Sequence, residues 1–202
     1  MRGEGSTEVL VVRTGTANLA SVLAGLERAG ASPCLTDDPQ DAARADRVVL
    51  PGVGAFGIAM ERLRARGVDA ALAERIRAGR ATLAVCLGFQ LLAEGSEESP
   101  GVGGLGVVPG RVARFSDTVR VPQIGWNRVE AGPGCRFLSD GFAFYANSYR
   151  LREAPSGWNA TTTDHGGPFV AAIERGAVLA CQFHPELSGE WGLSLLKRWL
   201  AC

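Results

Sequence analysis

Short apolar runs alternate with stretches of helical periodicity over the first half of the chain, which is the pattern of a helix-covered parallel sheet. Buried strands are predicted at Glu8–Arg13, Pro33–Leu35, Arg47–Leu50 and Thr82–Cys86. Apolar residues at helical spacing predict helices at Leu19–Ala29, Ile58–Arg66 and Ala70–Ala78, and a further helix that opens with Phe89–Glu94. Strands and helices that take turns in this way predict an α/β fold.

The pattern changes after Gly101, because the chain up to Asn127 is rich in Gly, Pro, Val and Arg and carries only short β-like runs. Further strands are predicted at Phe142–Tyr149, Phe169–Glu174 and Val178–Phe183, before a closing helix at Trp191–Trp199. No repeat, low-complexity tract or long linker divides the sequence. We therefore expect residues 1–202 to form one domain with a mixed sheet, whose later strands are partly antiparallel.

Composition narrows the classes of function. The chain has 21 Lys plus Arg and 21 Asp plus Glu, and this zero net charge argues against a general nucleic-acid or membrane-surface binder. No apolar run approaches the roughly 18 residues of a membrane span, and the N-terminus lacks the apolar segment of a signal peptide. The five cysteines are odd in number and show no C-x-x-C spacing. We expect a cytoplasmic, reduced protein without disulfides or a zinc site.

Candidate chemistry follows three of the predicted strands, at the edge where open parallel sheets bind ligands. The strand ending at Leu50 leads into the glycine-rich segment 51–54 (PGVG). The strand at 82–86 ends in a cysteine, and the strand at 178–183 leads into His184-Pro185-Glu186. If these three strands are neighbours in the sheet, their terminal groups lie close together.

Cys86 has two interpretations. At a strand-to-helix turn it would be exposed as a nucleophile, and the positive end of the following helix would favour its thiolate. In that case Gly88 allows a tight turn, and the backbone amide of Leu87 can face an oxyanion. Alternatively, Cys86 is a small core residue, since free cysteine is among the most buried residue types. The cysteine taken alone does not decide between them.

His184 is one of two histidines, and Glu186 follows closely enough to orient its imidazole, as the third member of a triad does. One histidine and one glutamate are too few ligands for a metal ion, so we predict no metal site and no cofactor. The segment 51–54 lacks the Lys-Ser/Thr of a phosphate-binding loop and the third glycine of a dinucleotide fingerprint. It suits either a plain turn or an oxyanion hole.

Together, these segments resemble one family. Cys86-Leu87-Gly88-Phe89-Gln90 is similar to the nucleophile turn of the class I (triad) glutamine amidotransferases, and residues 182–186 (QFHPE) resemble their His/Glu motif. Segments 50–56 (LPGVGAF), 121–127 (VPQIGWN) and 147–149 (NSY) resemble the glutaminase subunit of imidazole glycerol phosphate synthase. The resemblance runs from about Val11 to Trp199. It implies a flavodoxin-like fold with a central, mixed, mostly parallel sheet flanked by helices.

The resemblance also implies roles for the matching residues. Cys86 would attack the side-chain amide of glutamine, His184 would act as general base and acid, and Glu186 would orient His184. The oxyanion hole would combine the amide of Leu87 with the peptide of Gly52 and Val53. The residues expected to line the glutamine pocket are Gly54, Gln90, Glu98, Ser148 and Tyr149.

A partner is implied as well. Ammonia would pass to a (β/α)8-barrel cyclase of histidine biosynthesis, in a heterodimer. The residues expected at that interface are Asn18, Gln123, Trp126, Asn147 and Leu187. Because Gly52 makes a peptide flip sterically cheap, we expect the oxyanion peptide to be out of position until the partner and its ligand bind. The isolated subunit is then expected to be nearly inactive.

Several departures from the family pattern leave alternatives open. Residues 13–15 read Arg-Thr-Gly where relatives usually have Asp-Tyr-Gly, and Leu187 replaces a lysine that commonly faces the cyclase. Many relatives have histidine at positions 123 and 147. One alternative is therefore a paralogue that supplies ammonia to another synthase, in secondary metabolism or sugar amination. An inactive interaction module and a cysteine peptidase are two more, disfavoured by the intact triad and by the GSEES and PGVGAF segments.

Overall fold

The computed structural model describes residues 6–15 and 19–202, which form twelve strands and six helices. The strands are β1 (Thr7–Val12), β2 (Ala31–Thr36), β3 (Val48–Leu50), β4 (Thr82–Val85), β5 (Gly95–Ser96), β6 (Arg111–Arg114), β7 (Gln123–Ala131), β8 (Gly141–Asn147), β9 (Tyr149–Arg150), β10 (Asn159–Asp164), β11 (Pro168–Arg175) and β12 (Val178–Cys181). The helices are α1 (Ala20–Arg28), α2 (Pro39–Arg44), α3 (Phe56–Ala65), α4 (Val68–Arg77), α5 (Leu87–Leu91) and α6 (Gly189–Leu200), and a 3-10 turn spans Pro185–Leu187.

The main sheet of the described chain has nine strands, in the order β2-β1-β3-β4-β12-β11-β10-β7-β8. From β2 to β12 every pair is parallel, and the order 2-1-3-4 is that of flavodoxin-like sheets. From β12 to β8 every pair is antiparallel. Strands β5, β6 and β9 form a small second sheet. The predicted mixed α/β sheet flanked by helices is confirmed, and its parallel half contains all three strand ends of interest.

The parallel half of the sheet is buried on both faces. Along β1, Val9 and Val11 pack against α1 and α6, whereas Val12 faces the side covered by α2, α3 and α4. Strands covered on both faces have no solvent side, so they read as continuous apolar runs such as that of β3. In the described ranges, no helix is both long and apolar enough to cross a membrane.

The buried side chain of Arg75 hydrogen-bonds the backbone at the starts of two of these strands, β3 and β4. Arg75 on α4 is only 2% exposed, and burial, helped by the nearby charge of Arg80 and opposed by Asp46, lowers its pKa to about 10. It therefore stays charged at neutral pH. Its guanidinium donates hydrogen bonds to backbone carbonyls and one hydroxyl around the end of α2 and the starts of β3 and β4, namely those of Ala42, Ala45, Asp46, Ala81 and Thr82.

Arg75→Met is expected to lower the free energy of unfolding by about 3 kcal/mol or more, because several buried acceptors lose their donor at once. Arg75→Lys should fall in between, since an ammonium group keeps the charge but not the planar fork of donors. Urea denaturation measures both. Arg77→Met, on the exposed side of the same helix, is the control and should cost less than about 0.5 kcal/mol. A loss below 1 kcal/mol for Arg75→Met would contradict this role.

Candidate active site

The three strand ends predicted to carry chemistry are neighbours in the structure. Strand β4 pairs in parallel with β3 on one side and with β12 on the other, so their carboxyl ends share one edge of the sheet. The segment 51–54 follows β3, Cys86 follows β4, and His184 comes shortly after β12. The topology therefore brings together groups that are far apart in the sequence.

Cys86 adopts a backbone conformation that side-chain-bearing residues rarely take, with φ 53° and ψ −109°. Among the residues that the structure describes, it is the one non-glycine with positive φ. Its N–H donates to the Cys181 carbonyl at 2.8 Å, and its carbonyl accepts from the Gln90 N–H at 3.2 Å. Neighbouring backbone therefore holds the strained residue in place, as is common for residues at functional sites.

Gly88 was expected to allow a tight turn, and the structure gives the reason as a close approach of neighbouring backbone, not a positive φ of its own. A Cβ at this position would lie 2.0 Å from the carbonyl oxygen of Leu50. The helix that follows, α5, spans only Leu87–Leu91 and starts earlier than the predicted Phe89. Cys86 itself carries the unusual turn, and Gly88 lets the turn pack directly against β3.

His184 lies between Cys86 and Glu186. Its Nδ1–H donates to Glu186 Oε1 at 2.9 Å, so Nε2 is the ring nitrogen that remains free of Glu186. Both side chains of the His–Glu pair are almost fully buried. Burial alone lowers the pKa of His184, but hydrogen bonds to Cys86 and Glu186, together with their charges, raise it to about 10. A protonated imidazole at neutral pH favours the thiolate form of Cys86.

Cys86→Ala is expected to lower the pKa of His184, because it removes one hydrogen bond and one negative charge while burial stays the same. In the unmodified chain His184 should hold its proton through neutral pH and lose it only near pH 10. Nitrogen-15 NMR of the imidazoles measures both titrations, and His165, packed against Phe115, is the internal reference. An unchanged His184 titration in the variant would show that the two side chains do not interact.

The backbone of His184 is held by strand β8. Its N–H donates to the Phe144 carbonyl at 2.9 Å. The Ser188 hydroxyl donates to the His184 carbonyl at 2.6 Å and accepts from the Phe144 N–H at 2.9 Å. Sequence reasoning assigned no part to Ser188. Because of these contacts, the position of β8 sets the position of the imidazole.

The loop after β3 does not present an open oxyanion hole. The Leu87 N–H, predicted to face an oxyanion, instead donates to the Gly52 carbonyl at 3.3 Å. A trans peptide directs its N–H opposite to its carbonyl, so the Val53 N–H points away from Leu87. A Cβ on Gly52 would lie 2.6 Å from the Gly88 nitrogen, so this loop packs tightly on the nucleophile turn. The two predicted oxyanion donors do not converge in this structure.

A cavity of about 180 Å³ opens beside Cys86. It is lined by Val53, Gly54, Cys86, Leu87, Gln90, Glu98, Ala146, Asn147, Ser148, Tyr149 and His184. All five residues predicted to hold glutamine are among them, although they come from four separate segments of the chain. The cavity therefore combines the candidate nucleophile with a mixed polar and apolar wall of a size suited to a small molecule.

Glu98 has a second contact outside the cavity. Its Oε2 accepts the Phe56 N–H at 2.7 Å, and the neighbouring Ser99 hydroxyl accepts the Gly57 N–H at 3.0 Å. These two residues cap the start of α3, whose own N-cap residue, Ala55, offers no side-chain hydrogen bond. Since α3 directly follows the glycine-rich loop, Glu98 connects the cavity wall to the segment that carries Gly52.

Gln182 contacts Cys86, the candidate nucleophile, and was not singled out from the sequence. The β4–β12 register pairs Val85 with Cys181, so the next residues, Cys86 and Gln182, lie side by side. Gln182 Nε2 donates to Cys86 Sγ at 3.6 Å, and Gln182 Oε1 accepts from Gln90 Nε2 at 2.9 Å. A signal was present, because positions 182 and 184 are two apart in extended chain and so share a face.

Comparison with known proteins determines the family to which this chain belongs. The family model "Glutamine amidotransferase class-I" matches residues 33–201. The chain belongs to the class-I glutamine amidotransferase family. It is 42% identical to the imidazole glycerol phosphate synthase subunit HisH of Symbiobacterium thermophilum, covering 95% of this chain and 92% of that one. It is also 42% identical to HisH of Mycolicibacterium paratuberculosis (96% and 98% covered) and to chloroplastic hisHF of Arabidopsis thaliana (95% and 34% covered).

Solved structures agree with this amidotransferase assignment at the level of the fold. A glutamine amidotransferase crystal structure matches with a TM-score of 0.76 and 20% identity, covering 96% of this chain and 99% of that one. PurLQS from Thermotoga maritima matches with a TM-score of 0.73 and 17% identity, covering 97% and 98%. The flavodoxin-like class I amidotransferase fold predicted from the sequence motifs is confirmed.

The residues that the sequence placed at a partner interface of this amidotransferase fall into three groups. Trp126 and Leu187 are exposed, at 58% and 43%. Gln123 and Asn147 are paired across β7 and β8 and are more than nine-tenths buried, so in the isolated chain their side chains do not reach the surface. Asn18 lies outside the described residues. Of the four described residues in these groups, Trp126 and Leu187 are the ones exposed for direct contact with another protein.

Proposed function

We propose that this amidotransferase is the glutaminase subunit of an imidazole glycerol phosphate synthase and that Cys86, His184 and Glu186 are its catalytic triad. The observation that carries the proposal is that Cys86, held at positive φ, lines the same cavity as His184, whose imidazole is hydrogen-bonded to Glu186 at 2.9 Å and has its pKa raised by Cys86. Relatives about 42% identical to the chain bear the name of that synthase subunit. The chemistry below follows from this geometry.

In the first half of the reaction, the Cys86 thiolate attacks the side-chain carbonyl carbon of glutamine, and a C–S bond forms as the carbonyl oxygen takes up negative charge. The tetrahedral adduct collapses when His184 Nε2–H gives its proton to the amide nitrogen, which leaves as ammonia. A glutamyl thioester on Cys86 remains. Glu186 keeps the imidazole in the required tautomer by accepting from Nδ1–H throughout.

In the second half, His184, now neutral, takes a proton from water as the water oxygen attacks the thioester carbon. The C–S bond breaks, glutamate leaves, and the thiolate–imidazolium pair is restored. Both tetrahedral adducts need donors for their oxyanion, and we assign this role to the amides of Leu87 and Val53. The Val53 N–H becomes available only after the peptide between Gly52 and Val53 flips. The same flip frees the Leu87 N–H, which now donates to the Gly52 carbonyl.

The cavity wall supplies groups that fit the rest of glutamine. Glu98 brings a carboxylate that suits the α-ammonium group, and Gly54, Ser148 and Tyr149 complete the pocket. The Nε2 of Gln90 is already engaged with the Tyr149 carbonyl at 3.2 Å and with Gln182, so Oε1 is the atom it offers to substrate. We assign all five residues to glutamine binding.

An exposed apolar face beside the cavity is the proposed docking surface for the (β/α)8-barrel cyclase. Ile124 and Trp126 on β7 and Phe142 on β8 are 67%, 58% and 60% exposed. The ring of Trp126 makes an edge-to-face contact with that of Phe144. Leu187 adds a further exposed apolar side chain, in the 3-10 turn that contains Glu186. Exposed aromatic residues of this kind are typical of protein interfaces. This chain covers only 34% of the plant relative named hisHF, so most of that protein lies outside the glutaminase-like part, which is consistent with a synthase that needs a second component.

Reconstitution tests the proposed function. The purified chain is mixed with the barrel cyclase and its ribulosyl substrate, glutamine labelled with nitrogen-15 in the side-chain amide is supplied, and unlabelled ammonium is added in excess. Transfer inside a complex predicts product labelled from glutamine despite the unlabelled pool.

Trp126→Ala should weaken the complex by about tenfold or more while leaving the unfolding temperature of the free chain unchanged.

A different synthase remains the second candidate, favoured by Leu187. Its apolar side chain is exposed at a position where relatives commonly carry a lysine toward the cyclase. A chain that releases ammonia from glutamine, but neither binds the cyclase nor responds to it, would belong to a paralogue serving another acceptor. A chain that binds the cyclase and its ligand but still shows no glutamine hydrolysis would contradict the first candidate.

A further inference from the structure

We infer that Gln182 stabilises the Cys86 thiolate as a second donor beside His184, and that Gln90 keeps the Gln182 amide turned toward the sulfur. The inference rests on the proposed function, in which Cys86 is the nucleophile. It assigns Gln182 to direct contact with the reacting atom, and it makes Gln90 a positioning residue in addition to its proposed part in binding glutamine.

The direction of the two amides is determined by a backbone carbonyl. The Tyr149 carbonyl can only accept, so the Gln90 side chain must turn its NH₂ group toward it. The same NH₂ group then faces Gln182, which must present its oxygen. Gln182 in turn directs its own NH₂ group at Cys86 Sγ. Reversing any one amide would place two donors or two acceptors face to face.

Burial strengthens this contact. Gln182 is fully buried and Gln90 is 6% exposed, so their hydrogen bonds face little competition from water. A neutral amide N–H bonds more strongly to a thiolate than to a thiol, because the acceptor then carries charge. The contact therefore favours deprotonation of Cys86 without adding a second cation that would compete with His184.

Other titratable groups surround the sulfur and set the background for any pH effect. Strand β12 and the turn after it contribute a neutral thiol, the imidazole and the triad carboxylate, and the cavity wall adds a carboxylate and a phenol; these groups are Cys181, His184, Glu186, Glu98 and Tyr149. None of them is altered when Gln182 is replaced by an uncharged residue. A change in the ionisation of Cys86 would then report on the amide itself.

The experiment measures the rate of alkylation of Cys86 by iodoacetamide against pH, in the full chain, with the modified residue located by peptide mass spectrometry. Iodoacetamide needs the thiolate but neither the glutamine pocket nor the oxyanion hole. For Gln182→Met, we expect the midpoint of the profile to rise by about one pH unit, since a charge-assisted hydrogen bond is lost. At pH values below the midpoint the rate should fall about tenfold.

Three further variants separate this role from a purely structural one. Gln182→Glu removes the donor and adds negative charge, so the midpoint should rise further than in Gln182→Met. Gln90→Met leaves Gln182 in place but free to turn, so the midpoint should rise by less. Thr161→Val removes a buried hydroxyl group on β10, outside the cavity. It should leave the alkylation profile unchanged, and its effect on stability shows the general cost of losing a buried polar group.

Unchanged midpoints in Gln182→Met and Gln90→Met, with or without a loss of thermal stability, would overturn the inference. If Gln182→Met does not fold, Gln90→Met and Gln182→Glu decide it by the same criterion. The unmodified chain provides a separate check. If its own Cys86 is alkylated no faster at neutral pH than an ordinary free thiol, the proposed triad fails, and the failure is then not that of Gln182 alone.

Discussion

Cys86→Ala is expected to abolish glutamine hydrolysis, with a loss of about 10⁴-fold or more in turnover, because alanine cannot form the thioester through which ammonia leaves. No other sulfur among the described residues can replace it. Cys181 pairs with Val85, the residue before Cys86, across β12 and β4. It is fully buried, and its thiol donates to the Ala84 carbonyl instead of facing the cavity. Burial also raises the pKa of the Cys181 thiol, so it stays protonated and unreactive.

The measurement compares glutamine-dependent with ammonium-dependent product formation in the complex with the cyclase. Ammonium added from outside should still support the reaction with Cys86→Ala, since only the glutaminase step is removed. Cys135→Ala is the matched control, because Cys135 lies outside the cavity lining and should keep its glutamine-dependent rate. If Cys86→Ala retained glutamine hydrolysis within tenfold of the unmodified chain, Cys86 would not be the nucleophile.

Cys86 and His184 could be singled out as candidates from the sequence because each follows a strand. Apolar runs predicted β3, β4 and β12 to within a few residues, and the end of a strand is the position from which a side chain reaches the edge of the sheet. The pattern did not show that the three strands are neighbours. That depends on long-range pairing, and in this chain β12 enters the sheet beside β4 from almost a hundred residues away.

Two helices differ from the prediction because their sequences carry too little local signal. Helix α3 was predicted from Ile58 but begins at Phe56, because its first amides are capped by Glu98 and Ser99 and not by a preceding polar residue. A cap supplied from a distant segment leaves no local signal. Helix α2 was not predicted, since six residues are too few to show a period, although Asp38 caps it and Pro39 opens it.

Polar strands were missed for a different reason. Strand β10 reads NATTTD, which suggests a loop by composition, yet Thr161 and Thr163 are buried and alternate with exposed residues. Threonine suits a pleated strand because its branched side chain packs well there, but it carries little hydrophobic signal. Gln182 was overlooked in a similar way, since a glutamine between apolar residues reads as an interruption and not as a donor aimed at the neighbouring strand.

The exposed face and the triad are joined through one strand. Trp126 packs against the side chain of Phe144, and the backbone of Phe144 bonds both the N–H of His184 and the hydroxyl of Ser188. A partner that shifts β8 by pressing on this face would therefore move the imidazole as well. The glycine-rich loop borders the same cavity through Val53, which is 38% exposed. A protein bound to this face would therefore lie close to the contacts that position His184 and to the loop that contains Val53.

Glutamine turnover by the isolated chain is accordingly expected to be about 10²- to 10³-fold slower than in the complex with the cyclase and its bound ligand, the loss that follows when an oxyanion donor is missing. The physical reason is the Leu87 N–H, which is bonded to the Gly52 carbonyl and cannot receive an oxyanion until that peptide turns over. Steady-state rates with and without partner measure the effect. Alkylation of Cys86 by iodoacetamide in the same samples is the control and should change far less, because it needs a thiolate but no oxyanion hole. Turnover by the chain alone within a few-fold of the complex would show that the hole is already formed, and that the hydrogen bond between Gly52 and Leu87 does not limit catalysis.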